Sequence, residues 1–326
     1  MNKKIIYIIG FIIILGGILA NNYYQKIFGE AITKDYILFV NANDSLVNIK
    51  EKIAEFSSKP NTFLWVAAKK DFSKPKKGRY LLKQGMSNND LINMLRSGNQ
   101  TALKISFNNQ DTLEKFASRI AEQLEIDSIS IINSFTDTAF LDTNKLSKKS
   151  VLQICIPNSY EFYWTVSANN FRDKLLKEYN RFWNATRLAK AKALKLSKSE
   201  VITLASIVQK ETAKKIERPI VAGLYLNRLN NGWPLQADPT IIFAKQQQEK
   251  DIVIKRVLTK YIEETKNSPY NTYKNRGLPP TLISMPDISS IDGVLNAQKH
   301  QYFYMCANID KFGYHSFAKT LAQHNR

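Results

Sequence analysis

Polar and apolar positions divide this chain into one long apolar run followed by many short periodic ones. From Ile5 to Gln25 no residue is charged, and Ile5 to Ala20 is almost wholly apolar. As a helix, such a stretch spans roughly 30 Å, the hydrocarbon thickness of a bilayer. Lys3 and Lys4 precede it, and Tyr23 and Tyr24 follow where an interfacial aromatic belt belongs. The positive-inside rule then makes residues 1–4 a cytoplasmic tail and residues 5–24 a single transmembrane anchor, with the rest of the chain outside. The alternative is a cleaved signal peptide. A cut after Ala20 would put Ile18 where a small residue is wanted.

Beyond the anchor the periods shorten. Tyr36 to Val40 reads as a strand, and Asp44 or Ser45 caps a helix carrying Leu46, Ile49, Ile53 and Phe56. Lys59-Pro60-Asn61 reads as a breaker before a helix near Thr62 to Ala68. Arg79 to Leu82 is a short strand, and Ser87 caps a helix that ends at Gly98. A strand, two helices and a returning strand over residues 36–100 resemble the LysM-like module found beside many cell-wall enzymes; a generic spacer has the same order.

Residues 101–150 read as a connecting α+β region. It has a strand at Leu103 to Phe107, a helix through Phe116, Ile120 and Leu124, and a further helix from Asp127 to Leu141. A larger mixed α/β region covers 151–326. Its aromatic run Tyr160 to Trp164 suits either a core or a stacking wall beside a groove, and one long helix is expected from Asn169 to about Leu196. The fold class is therefore α+β: a single N-terminal anchor, a small LysM-like module and a larger mixed α/β domain.

Composition narrows the partners. The 326 residues are 44% hydrophobic, which excludes wholesale disorder. Lys+Arg is 47 against 28 Asp+Glu, a net charge of +19 that favours anionic partners. Export past a membrane removes nucleic acid from that list and leaves the outer leaflet or a wall polymer. Arg187, Lys190, Lys192, Lys195 and Lys198 read as a wetted helix face. Two cysteines and three scattered histidines make neither a disulfide scaffold nor a zinc site, so no metal or cofactor is expected. Cys155 and Cys306 lie in strand-like runs, either paired or as two buried thiols.

Candidate chemistry concentrates between residues 197 and 244. Ser197-Lys-Ser-Glu200 is a capping box, and Val201, Leu204, Ala205 and Val208 mark a buried stripe behind it. Three residues on, the stripe reaches Glu211. A carboxyl there is unusual, and both burial and the negative end of the helix dipole favour its protonated form. That suits a general acid; a helix-end ion pair with Lys214, Lys215 or Arg218 is the alternative. Pro219 opens a new helix through Leu224, Tyr225 and Leu229 to Gly232. Asp238-Pro239-Thr240 reads first as a helix cap, although Asn227, Gln236 and Asp238 could converge with Glu211.

Seven segments together make the chain recognisable: Leu204-Ala-Ser-Ile-Val-Gln-Lys-Glu211-Thr212, Glu217-Arg-Pro219, Tyr225-Leu-Asn227-Arg-Leu229, Leu235-Gln-Ala-Asp-Pro-Thr240, Ser268-Pro-Tyr-Asn-Thr-Tyr273, Gly277-Leu-Pro-Pro-Thr281 and His315-Ser-Phe317. In these segments and in its anchor, the chain resembles the endolytic murein transglycosylases, the MltG or YceG-like family, over nearly its whole length. It departs at Gln209, where the family often has Glu, and at Ala237, Leu282, Met285 and Asp287. The resemblance implies a lyase that cleaves the β-1,4 bond between N-acetylmuramic acid and N-acetylglucosamine in nascent glycan strands and leaves a 1,6-anhydro end. It implies Glu211 as catalytic acid and base, with Asn227, Gln236, Asp238, Tyr270, Asn271 and Tyr273 as candidates for holding sugars. Its implied partners are peptidoglycan strands, the inner membrane and peptidoglycan synthases. Two rival readings are a hydrolase with Asp238 or Glu217 as second carboxylate, and a non-enzymatic wall-binding scaffold.

Overall fold

A computed structural model describes residues 3–249 and 252–326; Met1 and Asn2 of the expected tail lie outside the described residues. The long apolar run is a single helix, α1 (Lys3–Phe28), with no buried residue. It is long and apolar enough to cross a membrane. The helix runs past the expected end of the span, and its last turns pack on the module that follows. There Tyr23 meets the Trp65 ring edge-on at 5.1 Å, and Asn88 donates to the Lys26 carbonyl.

The chain divides into two compact units, residues 1–104 with 161–166, and residues 105–160 with 167–326. The first contains β1 (Tyr36–Val40), α2 (Leu46–Ile53), α3 (Pro60–Lys69), β2 (Gly78–Leu82) and α4 (Asn88–Ser97). β1 and β2 pair antiparallel from Tyr36 opposite Leu82 to Val40 opposite Gly78. Alternation along β1 sends Leu38 and Val40 inward, where they join Ile49, Ile53, Phe63, Tyr80, Leu91 and Leu95 in one apolar cluster. Ser45 and Ser87 form capping boxes, and α4 ends on Gly98 at φ +74°. α2 stops at Ile53, with Phe56 in a 3-10 turn after it, and Pro60 departs from its expected role. It opens α3 instead of breaking the chain ahead of it, because the first helical residue needs no N–H partner.

The second unit begins within β3 (Leu103–Ser106), which pairs with β4 (Ser159–Phe162). Between these strands lie α5 (Leu113–Ala121), α6 (Ser128–Phe135) and α7 (Thr138–Thr143). The single helix expected from Asp127 to Leu141 is thus two. Asp137 has left the helical conformation and accepts the Phe140 N–H as a second cap, after Asp127 has capped the first helix. The long helix expected from Asn169 to Leu196 is likewise broken into α8 (Ala168–Phe182) and α9 (Ala185–Ala193). Asn184 caps α9 through the Arg187 N–H, and Trp183 is buried at the break.

Then come α10 (Lys198–Glu211), α11 (Arg218–Asn230), α12 (Asp238–Gln248), α13 (Thr259–Glu264), α14 (Ile288–Leu295), the hairpin β5 (Tyr304–Ala307) and β6 (His315–Ala318), and α15 (Leu321–His324). α10 is the axis of this unit. It packs on α11, α12 and α14, and every residue from Val201 to Val208 is buried, a wider contact than the stripe expected from its spacing. Cys155 is buried after a short 3-10 turn instead of lying in a strand, and Cys306 is exposed on β5; both thiols are free.

Candidate active site

Glu211 is the last residue of α10. Ser197 and Glu200 close a capping box at the other end, so this helix has a defined start and places its last carboxyl at its negative pole. Oε1 accepts a 2.6 Å hydrogen bond from the hydroxyl of Tyr225, which is fully buried on α11. The residue keeps part of its surface open, but its carboxyl has lost most of its water. That desolvation pushes it up to about 7; the charge of Asp238 acts in the same direction, while the Tyr225 hydrogen bond and the Arg228 guanidinium oppose it. No ion pair joins it to Lys214, Lys215 or Arg218 among the described residues. Arg218 instead grips Asp287 at 2.7 Å, and Lys214 lies over the Tyr314 ring.

Arg228 is held from behind. Its Nε and one terminal nitrogen donate to the Phe303 carbonyl, and the other donates to the Leu235 carbonyl. This requires the segment 298–303 to lie close against α11. Gly223 permits the approach, since a Cβ there would meet the Gln298 carbonyl at 2.2 Å and His300 Nε2 at 2.7 Å. Asn227 completes the attachment by donating to the carbonyls of His300 at 2.9 Å and Tyr302 at 3.0 Å. Its amide is therefore employed in fixing a loop.

The other candidate residues fall into two groups. Asp238 is exposed in the first turn of α12 and does not cap it; Ala237 holds the cap position with no side-chain bond. Asp238 instead accepts from the Tyr273 hydroxyl at 2.6 Å. Burial and that carboxylate together hold Tyr273 well above the usual phenol range. Gln236 is exposed at φ +49°, and its N–H donates to the Thr272 carbonyl, so this left-handed turn ties the 235–238 loop to the 270–273 loop. Tyr270 and Asn271 are the second group. The Tyr270 hydroxyl meets Thr281 at 2.6 Å and its ring packs on Phe243. Asn271 is fully buried, donates to the Ile262 carbonyl and Thr265, and accepts from the N–H groups of Tyr273 and Lys274. It shapes the loop that presents Tyr273.

Glu217 is also fully occupied. It accepts from the Thr212 hydroxyl at 2.9 Å and the His315 N–H at 2.7 Å, and lies 3.1 Å from His315 Nδ1. Through Thr212, the residue after Glu211, it fixes the end of α10 to the hairpin. Of the aromatic run that suited either a core or a wall, Tyr160 and Trp164 are engaged in packing while Tyr163 is exposed. Tyr160 stacks on Phe107 and donates to the Ile156 carbonyl, and Trp164 meets Phe39. Sequence reasoning did not single out Tyr225 or Arg228 as site residues. Their signal was an aromatic and a cation three apart on a helix otherwise built to be buried.

Gln209, where the resemblance leads to an expectation of Glu, is held at both ends of its amide. Oε1 accepts from the Asp287 N–H at 2.6 Å and from Ser290, while Nε2 reaches the Met285 carbonyl. Positions 209, 285 and 287 thus meet in space. A cavity of about 130 Å³ is lined by Lys210, Pro239 and Phe243, so it adjoins the chain neighbours of Glu211 and Asp238. A wider one of about 520 Å³, between Lys215, Asp287 and Asn296, does not include the acid. Among the described residues no cluster of His, Cys, Asp and Glu could hold a metal.

Comparison with known proteins gives this geometry a family. The chain is 30% identical over 325 residues to the endolytic murein transglycosylase of Bacillus subtilis, covering 93% of this chain and 88% of that protein. It is 25% identical to the endolytic murein transglycosylase of Streptococcus pneumoniae, over 81% of this chain and 52% of that protein. The crystal structure of a YceG-like protein from Listeria monocytogenes superposes with a TM-score of 0.60 at 26% identity, covering 90% of this chain and 98% of that one. Residues 38–326 match the model of the YceG-like family, and the chain belongs to that family.

Proposed function

We propose that this chain is a membrane-anchored endolytic murein transglycosylase, a lyase that cuts within peptidoglycan glycan strands. The observation that carries the reading is the Glu211 carboxyl, desolvated to a pKa of about 7 and hydrogen-bonded to Tyr225. Protonated, Glu211 gives its proton to the glycosidic oxygen as the bond from C1 of N-acetylmuramic acid to that oxygen breaks. The sugar's 6-hydroxyl oxygen then bonds to C1, and Glu211, now a carboxylate, takes the hydroxyl proton. No water is consumed, and the enzyme ends in its starting protonation state. Because the nucleophile belongs to the substrate, proximity replaces the second carboxylate that a hydrolase needs. Gln236, Asp238 and Tyr273 are exposed or half-exposed on the loops beside the acid and hold the sugars, with Asn227, Tyr270 and Asn271 shaping those loops.

Lys3 and Lys4, at the start of α1 and ahead of its apolar run, support an orientation with the N-terminus in the cytoplasm and the enzyme outside the inner membrane. The strand–helix–helix–strand module acts as a LysM-like wall contact, and confinement by the anchor directs the cleft to strands as synthases release them. The test is digestion of purified glycan strands by the full chain, with masses of the fragments. Fragments ending in anhydro sugars with internal cleavage support the reading. Reducing ends carrying one added water indicate the hydrolase, and uncut strands indicate a scaffold.

A further inference from the structure

We propose that Tyr225 is a positioning residue for this reaction: its hydroxyl occupies Oε1 of Glu211, so that Oε2 is the oxygen that gives and takes the proton. The inference deepens the transglycosylase reading and rests on it. Its basis is geometric. The Tyr225 ring is fully buried on α11, so the hydroxyl has no freedom to leave, and the donor–acceptor distance is 2.6 Å. Such a bond from a neutral donor is strongest to a carboxylate and weaker to a carboxylic acid. It therefore favours the form that the second step needs, while desolvation favours the form that the first step needs.

That opposition has a chemical purpose. In a hydrolase the acid and the second carboxylate can be tuned separately. Here one carboxyl must be an acid at the start of a turnover and a base before its end. A site that only desolvated it would give an acid too weak to release its proton. A site that only hydrogen-bonded it would give a carboxylate at every working pH. Glu211 has both influences, with Arg228 on the side of Tyr225 and Asp238 on the side of burial. Arg228 is bound to two backbone carbonyls and so acts at a distance, whereas Tyr225 touches the carboxyl. The hydroxyl also settles geometry, since a carboxyl held at one oxygen presents the other in a fixed direction to the glycosidic bond.

The experiment is Tyr225→Phe in the full chain, followed through the pH profile of anhydro-product formation. Free enzyme must hold Glu211 protonated, so wild-type kcat/KM falls as pH rises through about 7. Loss of the hydrogen bond should move that alkaline limb up by about one pH unit or more and lower kcat by roughly 10- to 100-fold, with KM changed by less than about threefold. A profile superimposable on wild type, with kcat within about twofold, overturns the proposal. An infrared titration of the Glu211 carboxyl, taken as wild type minus Glu211→Gln, tests the same bond with Tyr225 untouched. A carbonyl stretch at the frequency of a free acid overturns it, and a hydrogen-bonded stretch that titrates near neutrality supports it. If wild type makes no anhydro product under any condition, the transglycosylase reading fails, and the infrared result alone decides whether the bond exists.

Discussion

Replacing Glu211 by Gln should abolish activity and raise stability together. Gln has nearly the same volume and keeps an oxygen to accept from Tyr225. What disappears is the proton to be transferred. Acid–base assistance is worth about 10²- to 10⁴-fold per step, and here one residue serves both steps, so the loss should reach the upper end or beyond. The stability effect follows from the raised pKa. Unfolded Glu ionises near 4.5, whereas folded Glu211 does so near 7. The folded state binds the extra proton between these values, so the carboxyl costs nothing below pH 4.5 and costs most above pH 7. The full difference corresponds to about 3 kcal/mol. At pH 8 the Gln variant should therefore melt above wild type, and at pH 4 the two should melt together. The assay pairs melting curves at the two pH values with quantified anhydro ends from digested strands. A variant retaining a tenth of wild-type activity, or one less stable than wild type at pH 8, refutes the argument: a buried ion-pair member would lose stability when neutralised.

Asp238→Asn removes a charge that raises Glu211, so the alkaline limb of kcat/KM should shift down while the product keeps its anhydro end; an upward shift, or a hydrolysed end in wild type, contradicts the assignment. Glu217→Gln should cost about 2–4 kcal/mol in denaturant unfolding, since Glu217 accepts from Thr212 and His315 while buried. Native alkylation read by mass spectrometry should modify exposed Cys306 and spare buried Cys155, with both reacting after denaturation.

The sequence carried helix starts where a cap precedes a new apolar period, and lost them where a cap lies inside one. Ser45, Ser87 and Ser197 were readable because a cap is local: one side chain meets an N–H three residues away. Asp137 and Asn184 cap in the same way, yet they lie inside apolar periods that continue across them, so each pair of helices looked like one. Glu211 was legible because a carboxyl on an apolar stripe breaks a pattern. Tyr225 and Arg228 broke none, since an aromatic on a buried helix is ordinary, and what makes Arg228 unusual is a pair of carbonyls from distant loops. The sugar-holding candidates came from motif membership, which does not separate a side chain that faces a cleft from one that builds its wall. Asn271 is the clearest instance: its amide is spent on Ile262, Thr265, Tyr273 and Lys274, contacts that arise only once the 262–274 loop has folded.

Why the Glu211 carboxyl titrates near neutrality can be argued from its partners, set beside those of the acids around it. Glu217 is buried, accepts from the Thr212 hydroxyl and the His315 N–H, and lies against His315 Nδ1. Asp287 also loses water, but the Arg218 guanidinium and the Ser290 N–H outweigh that loss and hold it below the usual carboxylate range. Asp238 stands in the first turn of α12 and accepts from the Tyr273 hydroxyl. Glu211 sits at the opposite pole of its helix, with one hydroxyl as its hydrogen-bond donor and a like charge nearby. The other three carboxyls are spent on holding structure in place: Glu217 on the hairpin, Asp287 on Arg218 and the start of α14, and Asp238 on Tyr273. Glu211 has been given one hydrogen-bond donor, which leaves it the freedom to exchange a proton. A reaction whose nucleophile arrives with the substrate needs one such group, and Glu211, desolvated and held by Tyr225 at one oxygen, is built to be it.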